Sequence, residues 1–190
     1  LTGASPLTWT LQNISVETGA VPFTAQSIGD AFALDDRGVS QVSATQSYGN
    51  FEFTTVSRLI QPLIDSVRGK VIGSAIGRQK NQYRIFCSDG TVLVMYQDGN
   101  RKDFTRLQYP DFPTAVTSQE DATTGLERLF MGDADGMVYE LNKGSSFDGA
   151  AIESFCRIWY VNNRSPRIRK RYRKAIIEMT AEVYASLADG

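Results

Sequence analysis

Ile85-Phe-Cys-Ser-Asp-Gly90-Thr-Val-Leu-Val-Met-Tyr96 places an apolar run, an Asp-Gly pair and a second apolar run in direct succession. This is the short-range signature of a β-hairpin, because glycine reaches the φ > 0 conformation of a tight primed turn at no steric cost. Two other stretches repeat it, Phe32-Ala-Leu-Asp-Asp-Arg-Gly38-Val-Ser-Gln-Val42 and Leu129-Phe-Met-Gly-Asp-Ala-Asp-Gly136-Met-Val-Tyr-Glu-Leu141. The tip glycines Gly38, Gly90 and Gly136 lie 52 and then 46 residues apart. A period of about 40 to 50 residues with all-strand content is that of β-propeller blades, and the 3.6-residue apolar rhythm of helical repeats is missing.

The unit extends to both sides of the hairpin. Val71-Ile-Gly-Ser-Ala-Ile76 precedes the second copy and Thr114-Ala-Val-Thr-Ser118 the third, both short, small-residue and strand-like. Asp103-Phe-Thr-Arg-Leu107 and Ala151-Ile-Glu-Ser-Phe-Cys-Arg-Ile-Trp-Tyr160 follow the hairpins and read as outer strands with alternating apolar positions. The expected fold class is therefore all-β, built of propeller-like blades of four antiparallel strands. Small residues on the first strand suit the crowded centre, and aromatics on later strands suit the space between packed sheets. About three repeats occupy residues 28–190, fewer than the roughly four blades of the smallest closed propeller. The chain thus reads as a fragment of a longer propeller or as one that borrows strands, with residues 1–27 an adaptor strand or part of a preceding blade.

In this plan Gly38, Asp89, Gly90, Asp135 and Gly136 are structural turn residues, since Asp hydrogen-bonds its own backbone and favours turns. Valine at Gly136 is expected to cost about 1 to 3 kcal/mol in backbone strain, and Gly90 to respond alike. One short helix is expected over residues 57–67, with Ser57 as its cap and Pro62 near its first turn. Leu59, Ile60, Leu63, Ile64 and Val67 would share its apolar face.

The chain's 190 residues, 42% of them hydrophobic, support a buried core, and 11% aromatics argue against disorder. Its lack of histidine removes the commonest general base, the Ser/His/Asp and Cys/His arrangements and most zinc sites. No catalytic residue, cofactor or metal site is assigned, and the chain is not read as an enzyme. Gly73-Ser-Ala-Ile-Gly77-Arg78 is neither a P-loop nor a dinucleotide fingerprint, and falls where an inner strand and its turn are expected. Asp133-Ala-Asp135 has only a fragment of the spacing of a calcium loop. Glycoside-hydrolysing propellers use acids around their channel, but sequence spacing alone does not place two acids together, and those here read as solvated turn carboxylates. Cys87 and Cys156 fall inside expected strands and read as buried free thiols. No stretch approaches the ~18 apolar residues of a membrane span, so no membrane insertion is expected.

Arg164, Arg167, Arg169, Lys170, Arg171, Arg173 and Lys174 put seven cations into eleven residues without an acid. The rest of the chain then holds 13 basic against 21 acidic residues. Such a run can pair with acids of a neighbouring subunit or of its own chain, bind nucleic acid through phosphates, or form a solvated face.

Gly77-Arg-Gln-Lys-Asn-Gln-Tyr-Arg-Ile-Phe-Cys-Ser-Asp-Gly90 is the first of several stretches that resemble virion proteins of tailed bacteriophages. The others are Met131-Gly-Asp-Ala-Asp-Gly-Met-Val-Tyr-Glu-Leu141 with Ser145-Ser-Phe-Asp-Gly149, and Ser165-Pro-Arg-Ile-Arg-Lys-Arg-Tyr-Arg-Lys-Ala175. The likeness is to the propeller-bearing tail hub or nozzle proteins of short-tailed phages and spans roughly residues 28–180. It implies a structural protein of the virion, assembled in the host cytoplasm as a ring of copies around the DNA channel. Other tail or neck proteins and passing DNA would be its neighbours. Residues 132–141 alone are also similar to blades of quinoprotein-type propellers, but the Trp typical of that motif is not matched and no quinone site is carried over. The alternative is a propeller module that recognises a host-surface glycan or protein, for which Trp9, Tyr48, Tyr109 and Trp159 are the aromatic candidates.

Overall fold

The turns at Gly38, Gly90 and Gly136 each close a hairpin formed by the second and third strands of an antiparallel meander. The computed structural model describes residues 6–8, 19–45, 50–155 and 169. The first sheet has the order β1 (Gln26–Ile28), β2 (Asp30–Leu34), β3 (Val39–Thr45), β4 (Asn50–Thr55). The second repeats that order as β5 (Val71–Gly77), β6 (Gln82–Cys87), β7 (Thr91–Asp98), β8 (Arg101–Gln108). The third holds three strands, β9 (Pro113–Glu120), β10 (Glu127–Asp133) and β11 (Val138–Leu141), and a two-stranded ribbon follows, β12 (Ser146–Phe147) with β13 (Ala150–Ala151). The first sheet opens at Gln26, just ahead of the expected boundary at residue 28.

The chain divides into two units, Leu1–Ile152 and Glu153–Gly190. All these sheets belong to the first. The described residues of the second, 153–155 and 169, carry no helix or strand.

Between the first two sheets the chain forms a helical connection. A 3-10 turn at Arg58–Ile60 leads into α1 (Gln61–Val67), and another at Arg68–Lys70 leads out. Pro62 sits in the first turn, where its missing N–H costs nothing. Two details differ from the sequence reading. Ser57 makes no side-chain cap bond; its hydroxyl oxygen accepts the Val39 N–H at 2.9 Å and ties the helical connection to β3. Leu59 is 97% exposed, because the tighter 3-10 winding rotates it off the face on which Ile64 and Val67 are buried.

The outer strand expected at 151–160 does not extend the third sheet within the described residues. Residues 150 and 151 pair back on 147 and 146 across Asp148-Gly149, both at positive φ, so the chain turns away before it can lie along β11. Residues 156–160 lie outside the described residues.

The core has two layers because the second sheet is buried on both faces. On one face Ile76, Tyr83, Ile85, Cys87, Leu93 and Met95 pack with Ile28, Phe32, Leu34 and Val39 of the first sheet and with Ile64 and Val67 of α1. On the other, Ala75, Phe86, Val92 and Val94 pack with Leu129, Met131 and Leu141 of the third sheet. Alternation along each strand sends successive residues to opposite layers, which is why β6 and β7 read as continuous apolar runs. The first strands come together: β5 lies against β1 on one side and β9 on the other. Gly73 of β5 lies at this junction, where a β-carbon would stand in van der Waals contact 3.5 Å from Phe23 Cβ and 3.6 Å from Val116 Cγ2. Ser74 completes the junction, its N–H and hydroxyl both donating to the Phe23 carbonyl at 2.9 Å. No helix among the described residues is long and apolar enough to cross a membrane.

Candidate functional site

Each of the three turns is clamped by an aspartate at, or one or two residues past, the end of its incoming strand. Asp35 Oδ1 accepts the N–H groups of Arg37 at 2.8 Å and Gly38 at 2.9 Å, while Oδ2 takes the Ser40 hydroxyl at 2.7 Å. Asp89 Oδ1 accepts the Thr91 N–H at 3.0 Å, and Oδ2 takes Lys70 Nζ at 2.8 Å. In the third turn the clamp is Asp133, whose Oδ1 accepts the N–H groups of Asp135 and Met137, both at 2.9 Å. The sequence reading had placed this role on Asp135; the longer third turn moves it to the strand end. Asp133 Oδ2 further accepts the Tyr139 hydroxyl at 3.1 Å, so the carboxylate serves the turn and its return strand.

These bonds set the acid titration. Burial pushes the Asp35 carboxyl up, but the Ser40 hydroxyl and the Arg37 N–H and guanidinium together hold it below its ordinary value. The Lys70 hydrogen bond, with the Thr91 N–H, lowers Asp89 to about 2. A carboxyl whose folded pKa lies below its unfolded value of about 3.9 contributes stability above that value and loses it as pH falls. Asp89→Asn is therefore expected to lower the melting temperature at neutral pH, with the gap to the parent closing between about pH 4 and pH 2. Melts at pH 7, 4 and 2 test this; a gap independent of pH would assign the loss to geometry instead.

Between the second and third sheets lies a buried cation. Arg84, 3% exposed, donates through Nη2 to Gln82 Oε1 at 2.6 Å and to Asn142 Oδ1 at 2.8 Å. Asn142 stands in the loop after β11 at φ +63°, so the third sheet reaches back to hold it. Burial lowers the Arg84 pKa, opposed by Tyr109 and Glu127. Nearby, a cleft of about 180 Å³ is lined by Lys80, Glu127, Arg128, Glu140, Asn142 and Lys143 among others. Its acids are paired with cations. Arg128 forks onto Glu140 through Nε at 2.8 Å and Nη2 at 2.6 Å, Lys143 Nζ adds 3.0 Å, and these hold the Glu140 carboxyl down to about 2. Glu127 accepts the Arg78 N–H and meets its guanidinium at 3.5 Å. Of these pairs Arg78–Glu127 bridges the second and third sheets, and Glu140 is a carboxylate held ionised rather than a proton donor.

The remaining sequence candidates separate as follows. Gly38, Gly90 and Gly136 all stand at positive φ, +132°, +79° and +83°. Cys87 is buried and free, and burial, with Asp89 nearby, pushes its thiol up to about 11. Tyr109 is 8% exposed and packs edge-on against Phe147 at 5.3 Å, so it is core and not the exposed ring that a glycan platform needs. Arg169 is exposed. Arg164, Arg167, Lys170, Arg171, Arg173, Lys174, Cys156, Trp9, Tyr48 and Trp159 lie outside the described residues.

The sequence reading missed a second repeat inside the first. Ala31-Phe32-Ala33, Ile85-Phe86-Cys87 and Leu129-Phe130-Met131 hold the same place on the second strand of each sheet, and in the latter two an arginine stands two residues earlier, Arg84 and Arg128. Phe32 is buried against the second sheet, stacked on Tyr83 at 6.1 Å, and Phe86 is buried against the third. Comparison with family models, with curated proteins and with solved structures returns no match.

Proposed function

We propose that the chain is a non-catalytic structural component of a bacteriophage virion, of the tail hub or nozzle kind. In this reading it self-assembles around the channel that DNA traverses and docks other tail proteins. Each antiparallel meander is read as a propeller blade. The observation that carries the reading is the stack itself: three successive meanders packed face to face, with β1, β5 and β9 side by side at their junction. Neighbouring blades around an axis would pack in this way, which supports the reading. The resemblance of the hairpins and of the basic run to tail hub and nozzle proteins supplies the biological setting.

The basic run supplies the test. Changing Arg167, Arg169, Arg171 and Arg173 together to glutamine should weaken oligomerisation in the absence of DNA and leave the melting temperature of the monomer near that of the parent. Charge pairing between copies would make that association weaken with salt. Particle mass by light scattering and electron microscopy reads the outcome. Intact assembly with lost retention of DNA would transfer the run to the channel wall, as a phosphate-binding surface with a steep salt dependence.

A further inference from the structure

We propose that the outer face of the third sheet is an interface for a second copy of this chain, whose first sheet stacks on it as the third sheet stacks on the second. The inference rests on the self-assembly reading and names its surface.

The repeat supplies the argument. Phe32 and Phe86 occupy equivalent places, and each is covered by the sheet that follows. Phe130 is the third of the series. Strand alternation turns it away from Leu129 and Met131, which face the second sheet, and so onto the opposite face of the third. It is half-buried there, with the Arg128 guanidinium over its ring at 5.3 Å. Across the sheet on the same face stand Val138, 71% exposed, and the small residues Ala115, Thr117 and Gly132. The only charges among these β10 and β11 positions, Arg128 and Glu140, are already joined to each other, so covering the face strands neither. The arginine has the same precedent: Arg84 lies under the third sheet with its Nη2 bonded to Gln82 and Asn142.

The complement is at the other end of the stack. The first sheet turns Ala31, Ala33 and Val42 away from the second, and Ala31 is exposed there. Apolar positions on the outer faces of both end sheets, Ala31 at one end and Phe130 and Val138 at the other, allow a head-to-tail contact. A heterologous contact of that kind adds sheets in one rotational sense and closes into a ring when the rotation permits.

The experiment uses the full chain with Cys156→Ser, to leave buried Cys87 as the background thiol. Sedimentation over a wide concentration range should show self-association of the parent, weakened about tenfold or more by Val138→Asp, a substitution at an exposed position that leaves the melting temperature of the dilute protein unchanged. Val138→Cys mixed with Ala31→Cys should form a disulfide dimer that neither variant forms alone. A parent that is monomeric throughout overturns both this interface and the self-assembly reading. Association unaffected by Val138→Asp overturns the interface and leaves self-assembly standing. Dimers of Val138→Cys alone would replace the head-to-tail contact with a symmetric one and overturn the choice of the first sheet.

Discussion

Gly90→Val is expected to lower the melting temperature by on the order of 10 °C or more, and Gly136→Val by clearly less, although both glycines close an Asp-Gly turn at nearly the same φ. The backbone term is common to both, about 1 to 3 kcal/mol for a β-branched residue in the left-handed region. What differs is the space. A β-carbon on Gly90 would stand 2.4 Å from the Tyr109 carbonyl oxygen and 3.0 Å from Gln108 Nε2, whereas one on Gly136 meets nothing within 4 Å. The first obstacle cannot swing aside, because the Gly90 carbonyl accepts the Tyr109 N–H at 2.8 Å and fixes the two strands together. Overpacking of this kind adds about 1 to 3 kcal/mol, and each kcal/mol moves the midpoint of a domain this size by about 2 to 4 °C. The sequence-level expectation that the two glycines respond alike counts only the backbone term. Matched thermal melts of the two variants decide; equal losses would show that the Tyr109 contact yields.

What was legible in the chain was what depends on neighbours in sequence. A turn carrying Asp and Gly between apolar runs is a local instruction, and the hairpins closed at Gly38, Gly90 and Gly136 follow it. The outer strand of the second sheet, expected at 103–107, is β8 over Arg101–Gln108. The helix near 57–67 follows from Pro62 and the spacing of Ile64 and Val67. The failures share one cause, a competing partner far away in sequence. Ser57 looks like a cap because serine before a helical stretch usually is one, but the Val39 N–H claims its oxygen across 18 residues. Tyr109 looks available as an exposed ring because nothing local says that Phe147 will cover it. Apolar alternation likewise says which residues share a face and is silent on what lies over that face. For that reason the Arg-x-Phe recurrence at 84–86 and 128–130, visible in the letters alone, acquires meaning only once one copy is seen fully buried and the other half-buried.

That pair yields the second large effect. Phe86→Ala is expected to cost about 3 to 5 kcal/mol, the usual range for emptying a fully buried aromatic site. Phe86 is 0% exposed and is closed in by Val92 and Val94 of its own sheet and Leu129 and Met131 of the next, all on strands whose ladders prevent collapse into the void. Phe130→Ala removes the same ring from the equivalent strand position, yet among the described residues no further sheet covers the outer side of that ring. Its cost there should stay near 1 kcal/mol, the loss of partial burial and of the Arg128 contact. Denaturant titrations of both variants at low protein concentration measure the difference. A large loss for both would mean that Phe130 is packed as deeply as Phe86 within a single copy, and a small loss for both would mean that the second and third sheets do not share the core on which the stack depends.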